Sequence, residues 1–290
     1  MKIKIGSRES KLAVEQSNIV IREIKEKYSN IDIELVTMKT TGDIILDKTL
    51  DKIGGKGLFI KELDRALIDG KTDISIHSLK DMPIDIDDSL PIIAYLKREN
   101  PLDVLILPKG ISYINIKKPI GSSSKRRVYQ LKKLYPEYSF KPIRGNVLTR
   151  LEKLDKGEYS ALVLAYAGIK RLGIEDRIYK VFSSYEIIPA CGQGIIAIQG
   201  KKGQDYSYLK FLNDKNSEYE AKCERSFVKE LNGGCSLPIS AFARIKENNI
   251  ILKGFYADEN NYVIKEVTGN KEDYEKIGIN LAKEFKGIIK

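Results

Sequence analysis

The sequence predicts an α/β protein of two or three domains that ends in a smaller α+β unit. Strand-like alternation and helical spacing follow one another from the first residues to about residue 200, the pattern of α/β sheets. The tail then changes to alternating runs separated by polar turns and flanked by helices, which is the signature of hairpins. A length of 290 residues, at about 150 per domain, gives two domains, or three if one is small.

The elements follow in order. Ile3 and Ile5 alternate with lysines as a strand, Gly6-Ser7-Arg8 turns, and Ser10 is placed to cap a helix. Leu12, Ala13, Ile19, Val20 and Ile24 carry that helix to about Tyr28, and Ile31, Ile33 and Leu35 alternate as a second strand. Residues 39–57 break the pattern with Gly42, Gly54, Gly55 and Gly57. Patternless stretches of that length inside compact domains are usually functional or mobile. A helix through Leu58, Phe59, Leu63, Ala66 and Leu67 follows, then a buried strand through Ile74 and Ile76. The same units recur from Pro101: an apolar run Val104–Leu107, Ile120 leading into Gly121-Ser122-Ser123-Ser124, and a helix with Val128, Leu131 and Leu134. A strand to Ile143, a helix from about Val147 to Lys156, and the buried runs Ala161–Ala165 and Ile195–Ile198 complete this part. Such alternation predicts parallel sheets. In the tail, a helix bearing Tyr219, Cys223, Phe227 and Leu231 stops at Asn232-Gly233-Gly234. Three alternating runs (Ile239–Ile245, Ile250–Tyr256, Tyr262–Val267) and a helix from about Lys271 to Phe285 close the chain.

Composition removes several classes of chemistry. Hydrophobic residues make up 42% and charged residues 31%, an ordinary globular balance. The N-terminal alternation is unlike an apolar leader, and no stretch approaches the roughly 18 apolar residues of a membrane span, so a cytoplasmic protein is expected. Cys191, Cys223 and Cys235 are far apart and odd in number, which argues against a disulfide framework. The single histidine, His77, leaves no histidine cluster for zinc. A formal net charge of +10 reads first as a lysine-rich solvated surface. No RNA-binding or helix-turn-helix signature accompanies it, so no nucleic-acid partner is expected.

The arginines are distributed differently. Three strand-to-helix turns combine them with small polar residues: Gly6-Ser7-Arg8-Glu9-Ser10, Gly121-Ser122-Ser123-Ser124-Lys125-Arg126-Arg127 and Arg144-Gly145-Asn146. A helix N-terminus already favours anions through its free N–H groups, and the arginine fork matches a carboxylate. One such turn is explained equally well by plain capping; three favour a polyanionic ligand. Arg150 and Arg171 follow on nearby helices. The string Gly54-Gly55-Lys56-Gly57 lacks the spacing of a phosphate-binding loop. His77-Ser78-Leu79-Lys80-Asp81-Met82-Pro83 follows a short strand, where a lysine beside a carboxylate is by itself no more than a solvated ion pair. Cys223 lies on an apolar helical stripe and reads as a buried hydrophobe. Spacing alone does not choose between Cys191 and Cys235 as a reactive thiol.

Taken together, and nearly end to end, these strings resemble the hydroxymethylbilane synthase, or porphobilinogen deaminase, family. The resemblance is carried by Ser7–Ser10, Gly54–Phe59, His77–Pro83, Arg126-Arg127, Arg144–Val147, Leu164–Gly173, Pro189–Gly194 and Gly233-Gly234-Cys235. It implies two α/β domains like type II periplasmic binding proteins and a smaller α+β C-terminal domain. The corresponding bounds are 1–97 with 195–213, then 100–190, then 216–290, with chain crossings near Lys97–Pro101 and Pro189–Gly194. It also implies a monomeric cytoplasmic transferase with a dipyrromethane cofactor held by a thioether to Cys235. Four porphobilinogen molecules would be added in turn with loss of ammonia, and hydroxymethylbilane released by hydrolysis.

The resemblance assigns Asp81 as the catalytic residue. It gives the cofactor Cys235, Ser78, Lys80, Asp81, Ser124, Arg126, Arg127 and Arg144, and the substrate Arg8, Ser10, Gln16, Arg144, Arg150 and Arg171. Residues 39–57 correspond to a flap over the cleft. Lys11, Glu15, Lys125 and Cys191 depart from the usual proline, aromatic, leucine and small apolar residue. Three other readings compete: a non-catalytic anion binder on the same fold, a thiol hydrolase, for which Cys235 has no clear base, and a basic nucleic-acid binder.

Overall fold

A computed structural model describes residues 2–44, 57–233 and 238–289. Strand β1 (Lys2–Arg8) buries Ile3 and Ile5. Ser10 then accepts the Ala13 amide at 3.3 Å and caps α1 (Lys11–Lys27), whose buried stripe includes Ala13, Val20 and Ile24. Strand β2 (Asp32–Met38) precedes a single turn of helix, α2 (Thr41–Ile44), inside the stretch without sequence pattern. The next helix, α3 (Lys61–Ile68), begins three residues later than Leu58, because Gly57–Ile60 closes a turn through the Ile60 amide and the Gly57 carbonyl. Strands β3 (Ile74–Ser78) and β4 (Ile92–Tyr95) follow.

The second run of units comprises β5 (Asp103–Ile106), β6 (Ile120–Gly121), α4 (Lys125–Leu134), β7 (Phe140–Lys141), α5 (Val147–Asp155), β8 (Ala161–Ala165), α6 (Tyr166–Arg171) and β9 (Ile178–Val181). Ser124 and Asn146 cap α4 and α5 by accepting the Arg127 and Thr149 amides. Strand β10 (Ile196–Gln199) comes next.

The sheets are mixed, which corrects the parallel expectation. One has the order β2-β1-β3-β10-β4, the other β7-β6-β8-β5-β9. In the first, β1 is parallel to β2 and β3, while β10 is antiparallel to β3 and β4. In the second, β6 is parallel to β7 and β8, while β5 is antiparallel to β8 and β9. The two orders are therefore the same, and the reversed strand in each is the one the chain forms on arriving from the other sheet. Alternation of strands and helices reveals the crossover units, whereas a strand inserted from elsewhere leaves no mark in that pattern. Strands β4 and β9, not among the expected elements, flank those inserted strands.

The C-terminal unit matches its expectation. Helix α7 (Lys215–Glu230) and α8 (Tyr274–Ile288) pack on the antiparallel meander β11 (Ile239–Lys246), β12 (Asn249–Ala257) and β13 (Tyr262–Asn270). Phe227 and Phe285 meet edge to face there, 5.0 Å apart, among fully buried aliphatic residues. Buried polar contacts tie this unit to the sheets. The Arg98 guanidinium bonds Glu224 at 2.6 Å and the Gln193 carbonyl at 2.8 Å, Arg225 donates to the Pro83 and Ile84 carbonyls, and the Ser240 hydroxyl donates to the Pro189 carbonyl. Among the described residues, no helix is long and apolar enough to cross a membrane.

Candidate active site

Strands β1, β3, β6, β7 and β8 direct their carboxyl ends at one cleft of about 590 Å³ between the two sheets. Ligands of open α/β sheets bind at such ends. The turns identified in the sequence all reach it. Arg8, Ser10, Gln16, Ser78, Lys80 and Asp81 line it from the first sheet's side, and Ser124, Arg126, Arg127, Arg144, Arg150 and Arg171 from the second's. Thus every candidate residue within the described part of the chain is brought to one place. Cys235 and the string Gly54-Gly55-Lys56 lie outside the described residues. Val228 and Ile239, on either side of the Gly-Gly-Cys turn in sequence, form part of the cleft wall.

Local structure explains how each side chain arrives. Asp81 ends a one-turn 3-10 helix (Leu79–Asp81) that follows β3 directly and is anchored by the fully buried Leu79. Ser78 at the end of β3 exchanges hydrogen bonds with the Gln16 amide of α1, at 2.8 and 3.1 Å. Gly145 has φ +114° and no room for a Cβ beside Thr149, and its carbonyl accepts the Arg150 Nε at 2.7 Å. That left-handed turn is what permits Arg144 and Arg150 to share the wall. Arg171 donates to the Gly194 carbonyl at 2.7 Å, which ties α6 to the segment returning to the first sheet.

Arg126 and Arg127 reach the cleft from a buried ion cluster behind it. Both are buried, on the fully buried carboxylate of Asp103: Arg126 Nη1 at 2.8 Å, Arg127 Nη2 at 2.6 Å and Nε at 3.1 Å. Arg126 Nη1 also donates to the Ile188 carbonyl and Arg127 Nη1 to that of Val163. A guanidinium has five N–H groups, so these bonds use two from Arg126 and three from Arg127, and each keeps donors on the cleft wall. Burial alone would raise the Asp103 pKa, but the two arginines hold its carboxyl well below the usual range. Gln193 extends the array, with its amide nitrogen 2.9 Å from Asp103 and its amide oxygen 3.5 Å from Lys80 Nζ. Asp103, Gln193, Asp43, Phe59 and Arg225 were not among the sequence candidates, yet the last four line the cleft and Asp103 lies behind it. The one signal for Asp103 was a lone carboxylate opening the apolar run Val104–Leu107.

The cations act on one another across the cleft. Burial, then the charges of Arg127, Arg144 and Arg8, push Arg150 down to about 10, with Asp81 opposing. Burial does the same to Arg171. Lys80 is pushed down to about 8 by burial first and then by Arg127 and Arg126, against the pull of Asp81 and Asp103. A pocket whose cations are desolvated and mutually repelled is stabilised by a polyanion. Below about pH 8 Lys80 is an ammonium donor; as pH rises through that value the donor is lost. We therefore expect the affinity of the ligand-free protein for a polycarboxylate to fall as pH rises through about 8, and the Lys80→Met variant to lose that dependence. A fall of equal size at the same pH in Lys80→Met would exclude Lys80 as its source.

Other groups are placed away from chemistry. His77 is buried, and desolvation holds it neutral with a pKa of about 4. Cys223 is fully buried in the C-terminal core, its thiol pushed far above the ordinary value by burial, as its helical stripe predicts. Lys11, Glu15 and Lys125 do not line the cleft, whereas the half-buried Cys191 does. Among the described residues no cluster of histidine, cysteine and carboxylate side chains can hold a metal.

Fold and site define a two-lobed protein whose arginine-bearing strand ends suit a polycarboxylate, with Asp81 set among them. The sequence pattern described as porphobilinogen deaminase, dipyromethane cofactor binding domain, matches residues 3–208, and the porphobilinogen deaminase C-terminal domain matches residues 218–287. Three curated relatives named porphobilinogen deaminase align along almost the whole length. The Acetivibrio thermocellus protein is 61% identical over 98% of both chains. That of Alkaliphilus oremlandii is 58% identical over 99% of this chain and 97% of its own, and that of Ruminiclostridium cellulolyticum 54% over 98% and 97%. The chain belongs to the porphobilinogen deaminase family, enzymes of tetrapyrrole synthesis whose cofactor is dipyrromethane. The cleft fits that group, since a dipyrrole bearing acetate and propionate arms presents four carboxylates to a wall of buried cations.

Proposed function

We infer that this chain is a transferase that condenses four porphobilinogen molecules head to tail, with release of ammonia, and frees hydroxymethylbilane by hydrolysis. The observation that carries this reading is the convergence of cations from both sheets around Asp81. Arg126, Arg127, Arg144, Ser78, Ser124 and Lys80 would hold the dipyrromethane, with Cys235 its covalent anchor; when bound, the group supplies a nucleophilic pyrrole α-carbon. Arg8, Arg171, Ser10 and Gln16 would receive the incoming pyrrole, and Arg144 and Arg150 serve both. Each charge-assisted hydrogen bond contributes about 1.5–3 kcal/mol, so several hold a polyanion firmly.

Asp81 has the central role. The substrate amine has an unperturbed pKa of about 10 and leaves protonated, so no strong acid is needed. The bond that breaks is the aminomethyl C–N bond, and the bond that forms joins that carbon to the pyrrole α-carbon. The Asp81 side chain accepts from pyrrole N–H groups, stabilises the cation left by the departing ammonia, and assists loss of the α-proton. The domain bounds 1–97 with 195–213, 100–190 and 216–290 remain our division of the chain, with a monomeric, cytoplasmic state and no nucleic-acid partner.

Intact-protein mass provides the test. The expected result is an excess equal to two linked pyrroles that maps to the peptide containing Cys235 and disappears in Cys235→Ser. Unmodified protein that does not turn over porphobilinogen would leave an anion binder without catalysis.

A further inference from the structure

Arg8 is gripped from two directions by residues on either side of segment 45–56. From one side comes Asp43, at the end of the turn Thr41–Ile44; its carboxylate pairs with Arg8 Nη2 and accepts from Nε at 3.1 Å. From the other comes Phe59, whose ring centre lies 4.3 Å from the guanidinium carbon. Both grips are themselves supported. Thr40 donates to Asp43 through its hydroxyl at 2.7 Å and its amide at 3.3 Å. Gly42 donates its amide to the Leu58 carbonyl at 2.9 Å, and a Cβ on Gly42 would overlap the Phe59 ring. Arg8, Asp43, Phe59 and Gly42 all line the cleft.

The geometry leaves a definite remainder. Asp43 occupies the side edge of the guanidinium, made by Nε and Nη2, and Phe59 covers one face. The end edge, Nη1 with the outer N–H of Nη2, is the other edge able to take a carboxylate in two parallel bonds. Burial alone would raise the Asp43 pKa, but the bonds from Arg8 and Thr40 keep it low, so the grip persists near neutral pH. An arginine held in one plane loses less rotamer freedom when a ligand arrives.

We propose that Asp43 and Phe59 are positioning residues that fix the Arg8 guanidinium, so that its end edge receives a carboxylate of the incoming pyrrole. The inference rests on the synthase reading given above. In Asp43→Asn an amide replaces the anion on Arg8, and the expected result is a KM for porphobilinogen about tenfold higher with kcat within about twofold. Asp43→Glu restores part of the loss, and Thr40→Val, which removes one support, shifts KM in the same direction by less. The substrate concentration that half-loads the next pyrrole, read by intact mass, is followed in the Arg8→Lys background, where Asp43→Asn should change it by less than about twofold. An equal penalty in both backgrounds, or a KM unchanged or lowered by Asp43→Asn, overturns the proposal. Wild-type protein without a pyrrole adduct or turnover would instead reject the synthase reading itself, so the two failures are distinguishable.

Discussion

Asp81→Asn is expected to lower turnover by about 10²–10³-fold, the loss typical when one preorganised electrostatic group is removed from a developing charge. The replacement keeps shape but turns one acceptor oxygen into an N–H donor and removes a negative charge from a cleft lined mainly with cations. Two consequences separate a catalytic loss from a structural one. The thermal midpoint should remain within a few degrees, because Asp81 sits half-buried at the cleft and the adjoining Leu79 and Met82 supply the packing. Substrate affinity should change by much less than turnover, because the arginines assigned to its carboxylates are untouched. A thermal unfolding scan checks the first and single-turnover ammonia release against substrate concentration the second, and near-normal turnover in Asp81→Asn would end the assignment.

The second large effect is on stability. Asp103→Ala should cost about 3–5 kcal/mol in a denaturant unfolding series, the range for breaking a buried ion pair by removing one partner. The carboxylate is fully buried and pairs with both Arg126 and Arg127 while also accepting from Gln193. Its removal leaves two desolvated guanidinium groups facing each other and the ammonium of Lys80. The same variant should fail to retain the dipyrrole mass even where it folds, because the arginine pair loses its fixed orientation. A stability change under about 1 kcal/mol would mean that water or rearrangement replaces the carboxylate, contrary to its burial.

Much of this was legible in the chain, for reasons that differ by residue. Ser10, Ser124 and Asn146 announce helix starts by chemistry that acts within four residues, so the three arginine-bearing turns could be placed before any fold was known. Cys223 was legible as core because helical spacing reports burial directly. Asp103 was not, because its partners are 23 and 24 residues away and local pattern holds no record of them. Gln193 escaped for the same reason: it reaches Asp103 across 90 residues. Asp43 lies in a stretch without periodicity and Phe59 reads as part of the helix that follows it, so neither was marked as a site residue; the Gly42–Phe59 contact explains the small residue between them. The reversed strands β5 and β10 were invisible because strand direction is decided by where the chain has come from.

That interleaving has a consequence for how the molecule is made. Strand β10 sits between β3 and β4, so the first sheet stays open until residues 196–199 leave the ribosome. The delay after Tyr95 is some hundred residues, roughly 5–20 s at ordinary elongation rates. During that interval the edges of β3 and β4 that β10 will pair lack their partner. Truncation after the first sheet's early strands should therefore yield insoluble protein rather than an independent lobe.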